Sequence, residues 1–417
     1  MNKEKLIKLA LPNKCTACGA CVNICPLNCI SFKLDEVDCF QPVIDQNKCI
    51  ACGKCVKACH LFKENLPLKR SEKVFASWSK DEIVRKTSAS GGIATELYKW
   101  GLENQYHCFG VEYSIKEGAF YKEISNLSQL NKIQNSKYVF SDTKDIYKKI
   151  KKYLKQNQKI LFIGLPCQVA GLFSFLGEKD SNLVTIDIIC HGVCPNEYLK
   201  QHIQNIENKI KNKIDEISFR DSRFGTKNFR FTCKCKNKYF YNKGVYENDI
   251  FQIGYHKALI YRENCFNCKY ATDVRIGDIT ISDFSGLGQL AECYYNKENV
   301  SCVILSTKIG EDVFSNLNLN NKIESYQRPS EEAYNYEGQL KRPSIPHEQR
   351  KKFILLYKKS HNFKKSAGKS LFKNILINEI IIALHIKQLK KLISMIIPNK
   401  IKVKIRNWRK NNGYNRK

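Results

Sequence analysis

Cys15-Thr-Ala-Cys18-Gly-Ala-Cys21-Val-Asn-Ile-Cys25-Pro26 recurs as Cys49-Ile-Ala-Cys52-Gly-Lys-Cys55-Val-Lys-Ala-Cys59-His60, with every cysteine displaced by 34 residues. The doubled Cys-x2-Cys-x2-Cys-x3-Cys run is the spacing that wraps two [4Fe–4S] cubanes. Three thiolates on a tight loop cap three corners of one cubane. The fourth follows on a short helix and points to the other cluster. Cys15, Cys18, Cys21 and Cys59 are therefore expected to hold one cluster, and Cys49, Cys52, Cys55 and Cys25 the second. Gly19 and Gly53 let backbone amides approach the cluster sulfurs. Pro26 closes the first run. His60 stands in its place in the second, where ligation is expected to survive with an altered turn and potential. Zinc sites more often show two separated Cys-x2-Cys pairs. Between the runs, Cys29–Phe32 and Gln41–Ile44 read as short strands, and Cys29 and Cys39 are not expected to be ligands.

Outward from this repeat, the chain has 417 residues, 43% of them hydrophobic, 20 cysteines and a net charge of +30. That composition supplies a packed core and excludes a disordered chain. Cysteines in metal-ligand spacing within so long a chain argue against a secreted disulfide scaffold. No apolar stretch suited to a signal peptide opens the sequence, and no run of eighteen apolar residues suits a spanning helix. A reducing cytoplasmic interior is the expectation. The charge is uneven: from Arg350 to Lys417 there are twenty Lys and Arg against one acid, Glu379.

The body alternates short β-rich runs with helices, an α+β (α/β-like) pattern. Strands are expected at Val74–Ser77, His107–Tyr113, Lys159–Gly164, Leu183–Ile189 and Ile279–Ser282, and a hairpin at Phe229–Cys233 and Lys238–Asn242. Helices are expected at Ile93–Gly101, Asp142–Gln156 and Val169–Leu176. Ser88-Ala-Ser-Gly-Gly92 precedes a helix and suits either a phosphate or a plain N-cap. Cys167 and Cys190 each follow a buried strand, so two strand ends can bring them side by side. With Cys265-x2-Cys268 they read as a third metal site or as buried free thiols. Arg220 to Arg223 is a charged turn with a solvated surface as its bland reading. His191 reads as a proton relay or a satisfied buried histidine.

Taken in order, Arg85-Lys-Thr-Ser-Ala-Ser-Gly-Gly92, Lys137-Tyr-Val139, Gly164-Leu-Pro-Cys-Gln-Val-Ala-Gly-Leu172, Asp187-Ile-Ile-Cys-His-Gly-Val193, Phe219-Arg-Asp221, Cys265-x2-Cys268 and Gly277-Asp-Ile-Thr-Ile-Ser-Asp283 resemble the coenzyme F420 hydrogenase/dehydrogenase beta-subunit family. That family includes 7-hydroxymethyl chlorophyll a reductase and bacterial proteins from surface-polysaccharide clusters. The resemblance, over about residues 1–310, implies FAD, a third [4Fe–4S] cluster and transfer of reducing equivalents. It places Ser88, Ser90, Gly91 and Gly92 in the flavin-binding loop, Lys137 near the flavin, and Cys167, Cys190, Cys265 and Cys268 on the third cluster. Cys194, Ser282, Ser285 and Arg223 depart from the family pattern and bear on the substrate pocket. No catalytic residue is assigned.

The domain expectation is a ferredoxin-type 4Fe–4S domain over 1–65, then an FAD/iron–sulfur domain over 70–345 with an N part (about 74–155) and a C part (about 156–310). A basic amphipathic tail over 346–417 follows. The functional expectation is an oxidoreductase joining one-electron clusters to a two-electron organic substrate, which a flavin makes possible. Coenzyme F420 is one candidate substrate, and Arg220 and Arg223 suit its anionic groups. The alternative is an electron-transfer subunit or docking module without its own substrate. A redox partner protein such as a ferredoxin is expected, and nucleic acid is not. The tail has apolar residues at near-helical spacing from Leu371 to Ile397 among lysines. It suits either an anionic membrane surface, as a peripheral contact at its inner face, or a helix packed on the body with a solvated basic face.

Overall fold

A computed structural model describes residues 9–384. At the N-terminus the two cysteine runs each lead into a one-turn helix, Ala20–Ile24 and Lys54–Lys57, entered through Gly19 and Gly53 in the left-handed region. β1 (Ile30–Leu34) and β2 (Phe40–Ile44) pair antiparallel between them, as expected.

The body is built on one sheet. Its strands are β3 (Val74–Ser79), β4 (His107–Ser114), β5 (Gly118–Ile124), β6 (Ser141–Asp142), β7 (Ile160–Gly164) and β8 (Leu183–Ile188). A separate three-stranded sheet holds β9 (Glu216–Ser218), β10 (Phe231–Cys235) and β11 (Lys238–Lys243). β12 (Ile279–Asp283), β13 (Ser301–Leu305) and β14 (Ile323–Arg328) return to the first. The nine strands run in the order β14-β3-β13-β12-β8-β7-β4-β5-β6. The centre, β12-β8-β7-β4, is parallel, and β13, β3 and β14 extend it antiparallel. Every residue of β7 is buried, as a strand covered by helices on both faces requires. The sheet draws strands from both sides of residue 156 and knits them into one layer.

The lysine-rich helix is shorter than its hydrophobic pattern suggests. It starts at Ile146, because Ser141 and Asp142 pair with Ala119 and Phe120 as β6. The Asp142 carboxylate then accepts the Lys144 N–H at 2.9 Å, and Lys144 has φ 47°. A residue in the left-handed region ends helical continuity. Thr143 donates to the Cys18 carbonyl (3.1 Å) and Asn23 donates to the Lys144 carbonyl (2.7 Å), so this turn is one of the places where the N-terminal domain docks.

The segment expected as a tail from 346 begins as part of the body. Helices Arg350–Ser360 and Phe363–Ser370 bury Phe353, Tyr357 and Phe363 against Tyr198 of the helix Asn196–Ile210. Burying three aromatic side chains stabilises this docking by several kcal/mol, at about 2–3 kcal/mol each. The last described helix, Phe372–Ala383, has no buried residue. Phe372, Leu376, Ile380 and Leu384 form an exposed stripe at four-residue spacing, while Ile375 packs against the core and Asn378 donates to the Val245 carbonyl at 3.1 Å, so the helix rests on the body as expected but turns an apolar stripe outward. The rest of the expected amphipathic segment, with Pro398 and Trp408, lies outside the described residues.

Candidate functional site

The cysteines fall into three groups in space. Cys18 stands within electrostatic reach of Cys15 and Cys59, and Cys21 of all three. Cys25, Cys49, Cys52 and Cys55 line one small cavity together with Cys29. The Cys29 thiol stands 3.3 Å from that of Cys25, so this bystander touches an expected ligand. Cys52 is exposed, which puts the second group at the surface.

The third group is a product of sheet topology. β7 and β8 are parallel neighbours, with Gly164 beside Asp187. Their carboxyl ends therefore lie together, the position at which open α/β sheets hold ligands. Cys167 opens the helix Pro166–Leu176 after β7, and Cys190 follows β8. Cys265 and Cys268 arrive on the short turn Glu263–Asn267 and its cap. Cys167 is within electrostatic reach of Cys268, Cys190 and Cys265. Burial pushes the Cys265 thiol up to about 11 and raises Cys167 and Cys190 further. Buried thiols that resist ionisation as a bare set become thiolates when a metal shares their charge. Cys194 reaches only Cys265 of this group, and its thiol donates to the Tyr138 carbonyl at 3.2 Å.

A zinc ion, bonded to sulfur at about 2.3 Å, draws its ligands onto one point. Among the described residues, no three His, Cys, Asp or Glu side chains converge in that way. A cubane, with four irons between its thiolates, spaces them more widely.

The first and third groups abut. A side-chain carbon on Gly171, inside the helix that carries Cys167, would stand 2.8 Å from the Cys18 sulfur. Tyr270, two residues past Cys268, lies within electrostatic reach of Cys167 and Cys268 on one side and Cys18 and Cys59 on the other. Its hydroxyl meets His60 Nδ1 at 2.6 Å. Burial drives the His60 pKa to about 3, so the imidazole is neutral. Arg262, also buried, donates to the carbonyls of Cys15 (3.3 Å) and Phe40 (3.0 Å), while its Nη1 has no partner. This guanidinium bears electrostatically on Cys15 and Cys265. A buried cation served only by carbonyls calls for nearby negative charge.

Beside the third group opens a cavity of about 610 Å³, lined by Ser88, Ser90, Gly92, Lys137, Cys190 and Arg220 among others. That volume lies within the range of cofactor sites. Gly92 begins the helix Ile93–Glu103 with φ 85° and no side-chain cap. The Ser/Gly loop thus supplies the N-cap residue, Gly92, but no serine side chain caps the helix start. Ser88 caps the C-terminus of the preceding helix Glu82–Thr87, and Ser90 donates to the Val300 carbonyl at 3.2 Å. Uncapped amides at a helix start favour an anion. Gly91 faces the sheet instead: a side-chain carbon there would stand 2.5 Å from the Ser77 carbonyl oxygen.

The Lys137 ammonium donates to the carbonyls of Ile133 (2.7 Å), Gln134 (2.6 Å) and Asn135 (3.2 Å). Burial lowers its pKa to about 7, against a smaller opposing pull from Glu112. Arg220 is a buried wall of the cavity rather than a solvated turn, and it is held by Asp283 and the Thr226 carbonyl, both at 2.6 Å. Arg223 is spent on a two-point pair with Asp221, 2.8 Å at each contact. His191 lines the cavity with its side chain 53% exposed, so it is not a buried histidine. Ser285, also lining the cavity, donates to Glu337 at 2.7 Å.

With this geometry in view, residues 14–61 match the family model for a 4Fe-4S dicluster domain. Residues 157–330 match the model for the C terminus of the coenzyme F420 hydrogenase/dehydrogenase beta subunit. The two matches lie in series, a dicluster domain followed by a region similar to the C terminus of that beta subunit. The chain is an iron–sulfur electron-transfer protein of that relationship. Among solved structures, a chain of the xenon-derivatised F420-reducing [NiFe] hydrogenase complex from Methanosarcina barkeri is 16% identical, with a TM-score of 0.42, covering 75% of this chain and 94% of that one. No curated protein matches the chain. No described helix is long and apolar enough to cross a membrane.

Sequence reasoning missed Tyr270, Arg262 and Gly171. Only Gly171 left a signal: glycine inside an apolar helix costs about 1 kcal/mol against alanine, a cost that close approach of another chain segment explains.

Proposed function

We propose that the protein is an iron–sulfur flavoprotein oxidoreductase. In this reading Cys15, Cys18, Cys21 and Cys59 hold one [4Fe–4S] cluster and Cys49, Cys52, Cys55 and Cys25 a second. Cys167, Cys190, Cys265 and Cys268 hold a third, and the 610 Å³ cavity receives FAD. The observation that carries the reading is Cys190, which belongs to the third cysteine group and to the cavity wall at once. One residue thus puts a one-electron site against a cofactor-sized space.

FAD, when bound, supplies the exchange between one-electron and two-electron traffic. The chain's own residues do the rest. The uncapped start of the helix Ile93–Glu103, with Ser88 and Gly92 beside it, suits the cofactor's phosphates. Lys137 adds positive charge on the same wall. Arg220, fixed by Asp283, gives the wall a second cation that does not swing. The body packs Gly171 on Cys18 and so shortens the path between the first and third cysteine groups. The exposed Cys52 marks the face where a redox partner protein such as a ferredoxin meets the chain. An anionic organic substrate fits the basic cavity wall; coenzyme F420 and an intermediate of surface-polysaccharide metabolism are the candidates.

Iron, acid-labile sulfide and flavin counted per chain after anaerobic reconstitution test this. The expected result is about twelve irons, three cubanes of four, with one FAD. About eight irons and no flavin would refute it and leave an electron-transfer module.

The exposed stripe of Phe372, Leu376, Ile380 and Leu384 favours an added reading. Followed by a lysine-rich sequence, it suits peripheral docking on an anionic membrane surface, where each Lys or Arg contributes about 1 kcal/mol. Co-sedimentation with phosphatidylserine vesicles should fall when residues 372–417 are deleted. Unchanged sedimentation would rule that docking out.

A further inference from the structure

The lysine-rich helix Ile146–Lys155 has no part in the path described so far, and packing does not account for its lysines. Its buried side is Ile146, Tyr147, Ile150 and Leu154. Lys149 pairs with Glu123, and the Lys151 ammonium lies over the Phe175 ring at 5.3 Å. Lys148, Lys152 and Lys155 are exposed. Their four- and three-residue spacing puts them on one face of the helix. Among the described residues, none of the three meets a carboxylate. Like charges at this spacing destabilise a helix, so the stripe weakens the fold that carries it.

The stripe begins at the second cysteine group. The Lys148 backbone N–H donates to Asn23 Oδ1 at 3.3 Å, and its ammonium donates to Asn28 Oδ1 at 2.8 Å. Cys25 lies between these two asparagines in the chain. Leu27, next to Asn28, is 45% exposed, and Ile50, next to Cys49, is 67% exposed. Both line the small cavity of Cys25, Cys49, Cys52 and Cys55, and so does Lys54. Lys54 is exposed and also meets no carboxylate among the described residues.

An apolar tip therefore stands over the second cysteine group, with unpaired cations beside it. An apolar centre with a polar rim is the anatomy of a protein–protein contact. Uncompensated positive charge at such a rim selects a carboxylate-rich partner and speeds its encounter. From Lys148 to Lys155 the stripe runs for about 10 Å, at 1.5 Å of helix rise per residue, a length that fits the face of a small protein.

We propose that this face docks a small acidic one-electron carrier protein. Leu27 and Ile50 form the centre of the contact, and Lys54, Lys148, Lys152 and Lys155 steer the carrier onto it. The proposal rests on the reading of Cys25, Cys49, Cys52 and Cys55 as ligands of the second cluster. One electron crosses the contact. The carrier's centre and the cluster change by one electron in opposite senses, and no bond or proton moves.

Two measurements on the reconstituted full chain test it, with an acidic bacterial two-cluster ferredoxin as the probe. Titration calorimetry with oxidised ferredoxin reads docking without electron transfer. Stopped-flow bleaching by reduced ferredoxin reads the exchange, beside reduced methyl viologen, a small donor that needs no docking surface. Lys148→Glu/Lys152→Glu should weaken the affinity and slow the ferredoxin reaction by about tenfold or more at low salt. The gap should close as salt screens the charges, and the viologen rate should stay as in wild type. Ile50→Ser should slow the ferredoxin reaction at every salt concentration. Lys209→Glu/Lys211→Glu, an equal charge reversal at the end of the helix Asn196–Ile210, should leave affinity and rate near wild type. Iron is counted on every variant. If Lys148→Glu/Lys152→Glu loses iron, Lys148→Gln/Lys152→Gln takes its place, with a smaller loss expected in the same direction. Equal affinities and rates for wild type and Lys148→Glu/Lys152→Glu would overturn the proposal. Equal losses in the two charge-reversal pairs would do the same, since net charge and not this face would then be responsible. So would weaker binding to phosphatidylserine vesicles with ferredoxin affinity unchanged, which would give the lysines to a membrane surface. Salt-sensitive docking by a wild type with about eight irons and no flavin would uphold this contact while refuting the flavoprotein reading.

Discussion

Gly171→Ala, measured beside Gly368→Ala, separates a helix glycine that serves close approach from one that does not. Both residues lie inside helices, Pro166–Leu176 and Phe363–Ser370. Alanine is favoured over glycine in a helix interior by about 1 kcal/mol. A side-chain carbon at Gly368 meets nothing within 4 Å. That substitution should therefore stabilise by about 0.5–1 kcal/mol, raising Tm by roughly 0.5–1 °C in a chain of this size. At Gly171 the new carbon would stand 2.8 Å from the Cys18 sulfur, 2.9 Å from the Cys18 side-chain carbon and 3.1 Å from the Tyr147 hydroxyl, where ordinary contact begins at 3.4 Å. Thr143 holds the Cys18 carbonyl, and as a proposed cluster ligand its sulfur would also be fixed to iron, so Cys18 cannot swing aside. Loop or helix must give by several tenths of an ångström. Overpacking of this kind costs about 1–3 kcal/mol, more than the helix gain. Gly171→Ala should melt below wild type by up to about 2 °C and disturb the EPR line of the first cluster. Anaerobic thermal melts and spectra of both variants are the assay. If Gly171→Ala melts higher, as Gly368→Ala does, with unaltered spectra, the seating of Cys18 against this helix is wrong.

Cys190→Ala should lower reconstituted iron from about twelve to about eight per chain and leave the two N-terminal clusters intact; loss of all iron would contradict a separable third site. Arg262→Met removes the buried cation bearing on Cys15 and Cys265. It should shift two cluster potentials to more negative values in a redox titration, while the second cluster keeps its own. Lys137 gains its proton as pH falls through about 7, which adds positive charge to the cavity wall. FAD binding, followed by fluorescence quenching, should tighten as pH is lowered from 8 to 6, and Lys137→Met should flatten that dependence.

The parts of this molecule that could be read in advance share one property: their meaning is local along the chain. The cysteine repeat carries its chemistry in its spacing. β7 and β8 announce themselves as apolar runs, and each ends at a cysteine, so Cys167 and Cys190 could be paired from the sequence. The cavity could not be foreseen. Its walls come from Ser88, Lys137, Cys190, Arg220 and Ser285, residues brought together only by the strand order. The first turn of the lysine-rich helix was misread because periodicity reports the apolar face and says nothing of a left-handed Lys144. The aromatic docking of Phe353, Tyr357 and Phe363 was hidden beneath the charge of the lysines around them. His60 was visible as a departure, yet its partner lies 210 residues away.

The exposure of Cys52 beside the enclosure of Cys18 and Cys265 has a consequence for how the protein ages. Dioxygen and peroxide reach an exposed cubane first, so oxidative damage should proceed inward from the second cluster. In the proposed reading, a molecule early in that decline keeps its flavin and its two inner clusters. It has lost only the cluster nearest the proposed partner face. Such a molecule would keep most of its colour, yet exchange no electrons with its redox partner.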